Sequence, residues 1–198
     1  MLALGLALLS SVGYELWGTG FATARVQNTL KAEIRQHGFP LRPVPGGAAG
    51  FIRIPKIALD MAFVQGIGSE ALAKGPGHYP RTPLPGEGGN VAIAGHRITH
   101  LAPFWNLNAL SPGDKIVLQT REGTFIYRMV WQRVLPPDSW WVTAPTRSSV
   151  LTLTTCNPRF SDDERLVVRA ALVYGPTPRG FVDKLGGVSI ESILNGGG

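Results

Sequence analysis

The chain has 198 residues, enough for one domain with a full core and short appendages. Twenty-five glycines, sixteen prolines and only 16% charged residues argue against a helical bundle and for a turn-rich, mainly β protein. The net charge of +6 is carried by scattered basic residues (Arg53, Arg97, Arg128, Arg133, Arg147 and Arg179 among them), with no dense run and no aromatic–basic ladder; this favours a solvated basic surface over nucleic-acid binding.

Leu2 to Ala24 is apolar, with the single charge of Glu15, and is long enough for a hydrocarbon core that takes about 20 apolar residues to cross. Tyr14 and Trp17 beside that charge suit a membrane interface. Residues 1–24 are therefore read as a membrane anchor. A signal peptide would open on basic residues, and none precedes Leu2, while a buried helix here would stand ahead of a linker with no core to join. Arg25, Lys31 and Arg35 follow the segment and run against the positive-inside rule for an external domain, so charge does not set the topology. Residues 25–50 combine a helix-compatible stretch, "ARVQNTLKAEIRQHG", with a Pro/Gly linker, "PLRPVPGGAAG".

From Phe51 to Gly175 short apolar runs alternate with turn residues. "FIRIP" and "LDMAFVQGI" read as two strands around a corner at Lys56–Ala58. "SEALAKGPGHYPRTPLPGEGG" reads as a helical turn and a long loop, and "NVAIAGHR" as a buried strand ending at His96. "APFWNLNAL" suits a short helix. "KIVLQT" and "TFIYRMVWQRVL" flank "REG" as a hairpin, and "SVLTLTTC" and "RLVVRAALVYG" are the last strands. This spacing, with so little helix, predicts a β-barrel or sandwich. Residues 176–198 lose the pattern and read as a tail.

The only cysteine, Cys156, ends one strand. His96 ends another, and Arg165 opens the strand that follows the cysteine loop. A thiolate is the better nucleophile, and a nearby imidazolium or guanidinium favours it. Acyl transfer also needs an acid for the leaving amine and a donor for the oxyanion, and Cys, His and Arg suit those three roles. The competing reading makes Cys156 a small buried hydrophobe and His96 a structural histidine.

"TLTTC", separated by eight residues from "RLVV" and preceded far upstream by "AGH", resembles the sortases, cysteine transpeptidases of the bacterial cell surface. "GHYPRTPLPGEGGNVAIAGHR", "FWNL" and "TTCNPRF" are most similar to the class E, actinobacterial members. The resemblance covers about Phe51 to Tyr174. It implies a closed β-barrel of about eight strands with short helices, preceded by an N-terminal helix, with residues 51–175 as the catalytic barrel. It also implies a single-pass membrane anchor and an extracellular catalytic domain.

The same resemblance makes Cys156 the nucleophile, His96 the general acid and Arg165 the oxyanion donor. The reaction implied is cleavage of an LPXTG- or LAXTG-like sorting motif between Thr and Gly. The acyl group then passes from Cys156 to an amine of a peptidoglycan precursor or a pilin. The implied partners are motif-bearing surface proteins, the amine acceptor and the membrane, with no nucleic acid. No cofactor or metal is expected, since the four histidines are isolated and there is one thiol.

Candidate substrate-binding residues are Thr155, His78, His100, Asn157 and Arg159. Thr155 suits either a substrate donor or the completion of its strand. His78 suits a groove or a loop histidine bonded to backbone, and Arg159 a groove or solvated surface. Asn157 and His100 stand where relatives carry other residues, respectively a His and often an aromatic. Ile98 to Trp105 is expected to wall the pocket, with Phe104 and Trp105 in the core. Arg169 shares the face of Arg165 but lies about 13 Å further along the strand, and Arg97 should point away from His96.

Other cysteine acyl-transferases fit less well. No Ser-x-Gly-Cys stretch of the L,D-transpeptidase kind occurs, and a papain-like enzyme would carry its cysteine on a helix ahead of the histidine. A non-catalytic, membrane-tethered β-barrel adhesion or scaffold module remains the alternative of a different class; it predicts a buried Cys156 remote from His96.

Overall fold

The computed structural model describes residues 18–176. Most of the predicted anchor and nearly all of the predicted tail lie outside the described residues. Eight strands form one closed barrel: β1 (Ala48–Ile54), β2 (Leu59–Gln65), β3 (Gly77–His78), β4 (Asn90–Ala94), β5 (Lys115–Thr120), β6 (Gly123–Leu135), β7 (Val150–Asn157) and β8 (Glu164–Tyr174). Their order around the barrel is β1-β2-β3-β4-β7-β8-β6-β5, closed by pairing of β5 with β1. Closure leaves no free sheet edge.

The interior is filled by alternate residues of these strands, with Ile52, Phe63, Ile93, Leu118, Phe125, Leu151 and Val168 all fully buried. β4 runs parallel to β7 in the register Ala94↔Thr154, and β7 antiparallel to β8 in the register Cys156↔Arg165. These two pairings bring distant parts of the chain to one end of the barrel.

Three local expectations are corrected. β3 forms inside the stretch read as a loop, pairing its two residues with β2 and β4; two residues are too few for a periodicity to show. "APFWNLNAL" makes only a single 3-10 turn at Leu107–Ala109, after turns that seat Phe104 in the core. β4 stops at Ala94, two residues short of His96.

The described part of the apolar N-terminal segment belongs to helix α1 (Thr19–His37), which lies on the barrel. Its Leu30 and Ile34 pack with Ala62, Val64 and Ala71, and Phe39 meets Phe51 edge-on with ring centroids 5.6 Å apart. Gln27 fixes the contact. Its Nε2 donates to the Ala62 and Lys74 carbonyls (2.9 and 2.7 Å), and its Oε1 accepts the Ala62 amide (2.8 Å). A buried side-chain amide with donors and acceptor matched to backbone binds the helix specifically. β1 then opens inside the stretch read as linker. No helix among the described residues is long and apolar enough to cross a membrane.

His78 on β3 is 1% exposed. Its Nε2 donates to the Pro83 carbonyl (3.0 Å), and its Nδ1 lies 2.9 Å from Gln65 Oε1. Burial, the largest effect, holds its pKa below the ordinary histidine value. Unfolding therefore takes up a proton as the pH falls through that value, so stability is full above about pH 6.5 and declines below it. Thermal melts from pH 8 to pH 5 should show this decline, and His78→Gln should lessen it, His96 with its own lowered pKa keeping part of it; an equal decline in the variant would place its origin elsewhere.

Candidate active site

Cys156 stands at the end of β7, level with Arg165 on β8. Residues directly opposite on antiparallel strands share a face, with Cβ atoms about 5 Å apart. His96 follows β4, and the parallel register that pairs Ala94 with Thr154 runs on: the Gly95 amide donates to the Thr154 carbonyl (3.1 Å). Two residues past that register lie His96 and Cys156. The His96 carbonyl accepts the Phe104 amide (3.1 Å), which pins the backbone from its other side.

Gly95 is required by this closeness. A Cβ there would lie 2.6 Å from the buried Phe104 ring.

The three side chains line one cleft of about 250 Å³. Ala94, Gly95, Thr154 and Thr155 form part of its floor, and Pro136 to Thr143 of the β6–β7 connection form part of its wall. Cys156 and His96 also border a second depression, of about 290 Å³, with Arg97, Ile98, Thr99, Phe160, Ser161 and Asp162. The partly buried thiol therefore reaches two openings. The scaffold reading required the opposite, a sealed thiol remote from the imidazole.

The His96 ring stacks on that of His100, with centroids 4.7 Å apart and planes 23° from parallel. Burial first, and the charge of His100 second, hold the His96 pKa below its ordinary value. Arg165 spends Nη1 on the Asp162 and Glu164 carbonyls (2.7 and 2.9 Å). Among the described residues its Nε and Nη2 have no acceptor, and Arg165 lines the cleft. Arg169 is directed elsewhere: its Nη2 donates to the Val142 carbonyl (2.9 Å), and its guanidinium lies 5.5 Å from the Trp131 ring centroid.

Of the remaining sequence candidates, only Thr155 lines the cleft, and its hydroxyl donates to the Gly95 carbonyl (2.7 Å), tying β7 to the His96 backbone. His78, His100, Asn157 and Arg159 line neither depression. Asn157 bonds Glu164, and Arg159 lies over the Trp105 ring at 4.3 Å. Ile98 and Thr99 wall the second depression. Phe104 is core as expected, but Trp105 is 37% exposed under Arg159.

Sequence reasoning missed Arg97. It is 5% exposed rather than solvated, and it borders the second depression together with His96. It donates to the Cys156 carbonyl (3.1 Å), Asn157 Oδ1 (3.3 Å), the Trp105 carbonyl (3.1 Å) and Asn108 Oδ1 (3.0 Å), clamping the His96 segment to the cysteine strand. Asn90 was missed as well: buried at the start of β4, it donates to the Val142 and Ala144 carbonyls (both 2.9 Å) and so holds the cleft wall. A polar residue opening an apolar strand was the available signal. Among the described residues no three His, Cys, Asp or Glu side chains are arranged to hold a metal ion.

The Sortase domain family model matches residues 52–173. The chain is 32% identical over 210 residues to sortase SrtE1 of Streptomyces coelicolor, covering 91% of this chain and 58% of that protein. It is 34% identical over 118 residues to sortase D of Bacillus subtilis, covering 59% of this chain and again 58% of the relative. The chain thus spans little more than half the length of these two relatives. Among solved structures, sortase E1 of Streptomyces coelicolor with a tripeptide in its active site superposes with TM-score 0.62 at 34% identity, covering 73% of this chain and 99% of that one. The sortase D5 transpeptidase of Clostridium perfringens gives 0.64 at 26% identity, covering 79% and 99%. With its closed eight-stranded barrel and these relatives, the chain belongs to the sortase family and groups with the class E members.

Proposed function

We propose that this chain is a cell-surface cysteine transpeptidase that cleaves an LPXTG- or LAXTG-like sorting motif between Thr and Gly and joins the upstream protein to an amine. The observation that carries the reading is that Cys156, His96 and Arg165 line one cleft. The Cys156 thiol passes its proton to His96, and the resulting thiolate attacks the Thr carbonyl, forming an S–C bond. Arg165, which lines the cleft and has Nε and Nη2 without acceptors among the described residues, suits the developing oxyanion. The Thr–Gly C–N bond breaks as His96 gives its proton to the departing nitrogen, leaving a thioester. An amine of a peptidoglycan precursor or a pilin then attacks the thioester, its proton passes to His96, and the C–S bond breaks.

In the same reading the segment ahead of α1 anchors the protein by one membrane pass, with the barrel outside the cell, and motif-bearing surface proteins are the substrates. The test is a mass measurement on the full chain quenched in acid after mixing with an LAXTG peptide. Cys156 should carry the peptide's N-terminal fragment as a thioester, and an added glycine peptide should discharge it as a new amide. Cleavage with Cys156 unmodified would overturn the mechanism.

A further inference from the structure

His100 was a substrate-side candidate, yet it lines neither depression beside Cys156. Its position is set by an unusual backbone. His100, Leu101 and Ala102 all take positive φ (54°, 65° and 42°), a region that side-chain-bearing residues seldom occupy three in a row. The Ala102 amide closes this turn onto the Thr99 carbonyl (2.7 Å), and the Trp105 amide closes the next onto Ala102 (2.9 Å). The His100 amide lies 3.4 Å from Thr19 Oγ1 at the start of α1, and the His100 Nδ1 lies 3.1 Å from the Thr99 hydroxyl. On an extended chain, residues four apart stand about 13 Å apart. Here the chain instead bends at residues 97–99, just ahead of the left-handed turn, and the two imidazoles lie 4.7 Å apart between centroids. Backbone strain of this kind collects where a site depends on it.

We propose that His100 is a positioning residue for His96: stacked on it away from the cleft lining, it fixes the plane of the His96 ring and sets a second, chargeable imidazole against it. This rests on the transpeptidase reading above. Among the described residues, the other titratable or charged groups that share a depression with His96 are Cys156, Arg165 and Tyr79 in the cleft, and Arg97 and Asp162 in the second depression. Arg97 and Arg165 carry the same sign as a protonated imidazole. A proton on His100 therefore opposes one on His96, in the direction of the lowering already attributed to this neighbour. The chemical effect is a more acidic imidazolium, which yields its proton to a departing amine more readily. As neutral imidazole the same ring is available to take the proton of the incoming amine.

Two variants of the full chain separate stacking from charge. His100→Phe keeps an aromatic ring over His96 and removes the second charge; His100→Ala removes both. The readout is the pH titration of the histidine ring signals by NMR, with the His96 signal identified by its loss in His96→Gln, together with the pH profile of kcat/KM on an LAXTG peptide. In His100→Phe the His96 midpoint and the limb of the profile that it governs should both move up. In His100→Ala kcat should fall by roughly tenfold to a hundredfold, because the ring loses its stop. An unmoved His96 midpoint in His100→Phe, or wild-type kcat in His100→Ala, overturns the proposal. The ring titration needs no substrate, so it tests the histidine pair even where no peptide is cleaved. Failure of the transpeptidase reading would show instead as an unlabelled Cys156.

Discussion

Cys156→Ala is expected to reduce cleavage and transfer of a fluorogenic LAXTG or LPXTG peptide to background. Where a nucleophile works as one unit with its acid, removing it costs on the order of 10⁶-fold in kcat. The change should leave the barrel standing. Cys156 is the penultimate residue of β7, partly exposed, and its side chain is not part of the core cluster, so truncation should cost about 1 kcal/mol or less. Near-UV circular dichroism and a thermal melt check the fold, and peptide turnover checks the chemistry. Undiminished turnover by a folded Cys156→Ala protein would remove the nucleophile from the mechanism.

The second large effect concerns which arginine serves the cleft. Arg165→Ala should lower kcat by about 10² to 10³, the usual cost of one lost oxyanion donor. Arg165→Lys should recover only part of this, because a point charge does not reproduce the planar fork of the guanidinium. Arg169→Lys should stay close to wild type in kcat, since Arg169 does not line the cleft and instead supports its wall, bonding the Val142 carbonyl and lying by the Trp131 ring. Steady-state kinetics on the three variants decide the matter. A deep loss in Arg169→Lys with an active Arg165→Ala would exchange their roles.

The long strands were legible because alternation survives in them. "KIVLQT" buries every second residue, and in "VLTLTTC" both faces are largely covered, as its apolar and threonine content implies. The convergence of Cys156, His96 and Arg165 was legible only through motif resemblance; no spacing rule announces that β4 will pair parallel with β7. What stayed hidden was polar. Gln27 looks like any surface helix residue until its amide meets Ala62, and Arg97 looks like one more scattered charge until four acceptors surround it. Neither hydrophobic periodicity nor net charge registers a buried group whose value lies in satisfying backbone.

The parallel seam between β4 and β7 joins segments about sixty positions apart. Such pairings form late, because the entropy of closing a long loop must be met before the contacts reward it. Until that seam zips, the sulfur has no imidazole beside it; only Arg165, nine positions along on the neighbouring strand β8, is near it. In the proposed mechanism, then, the site is complete only once the barrel has closed, and a newly made polypeptide does not yet hold it.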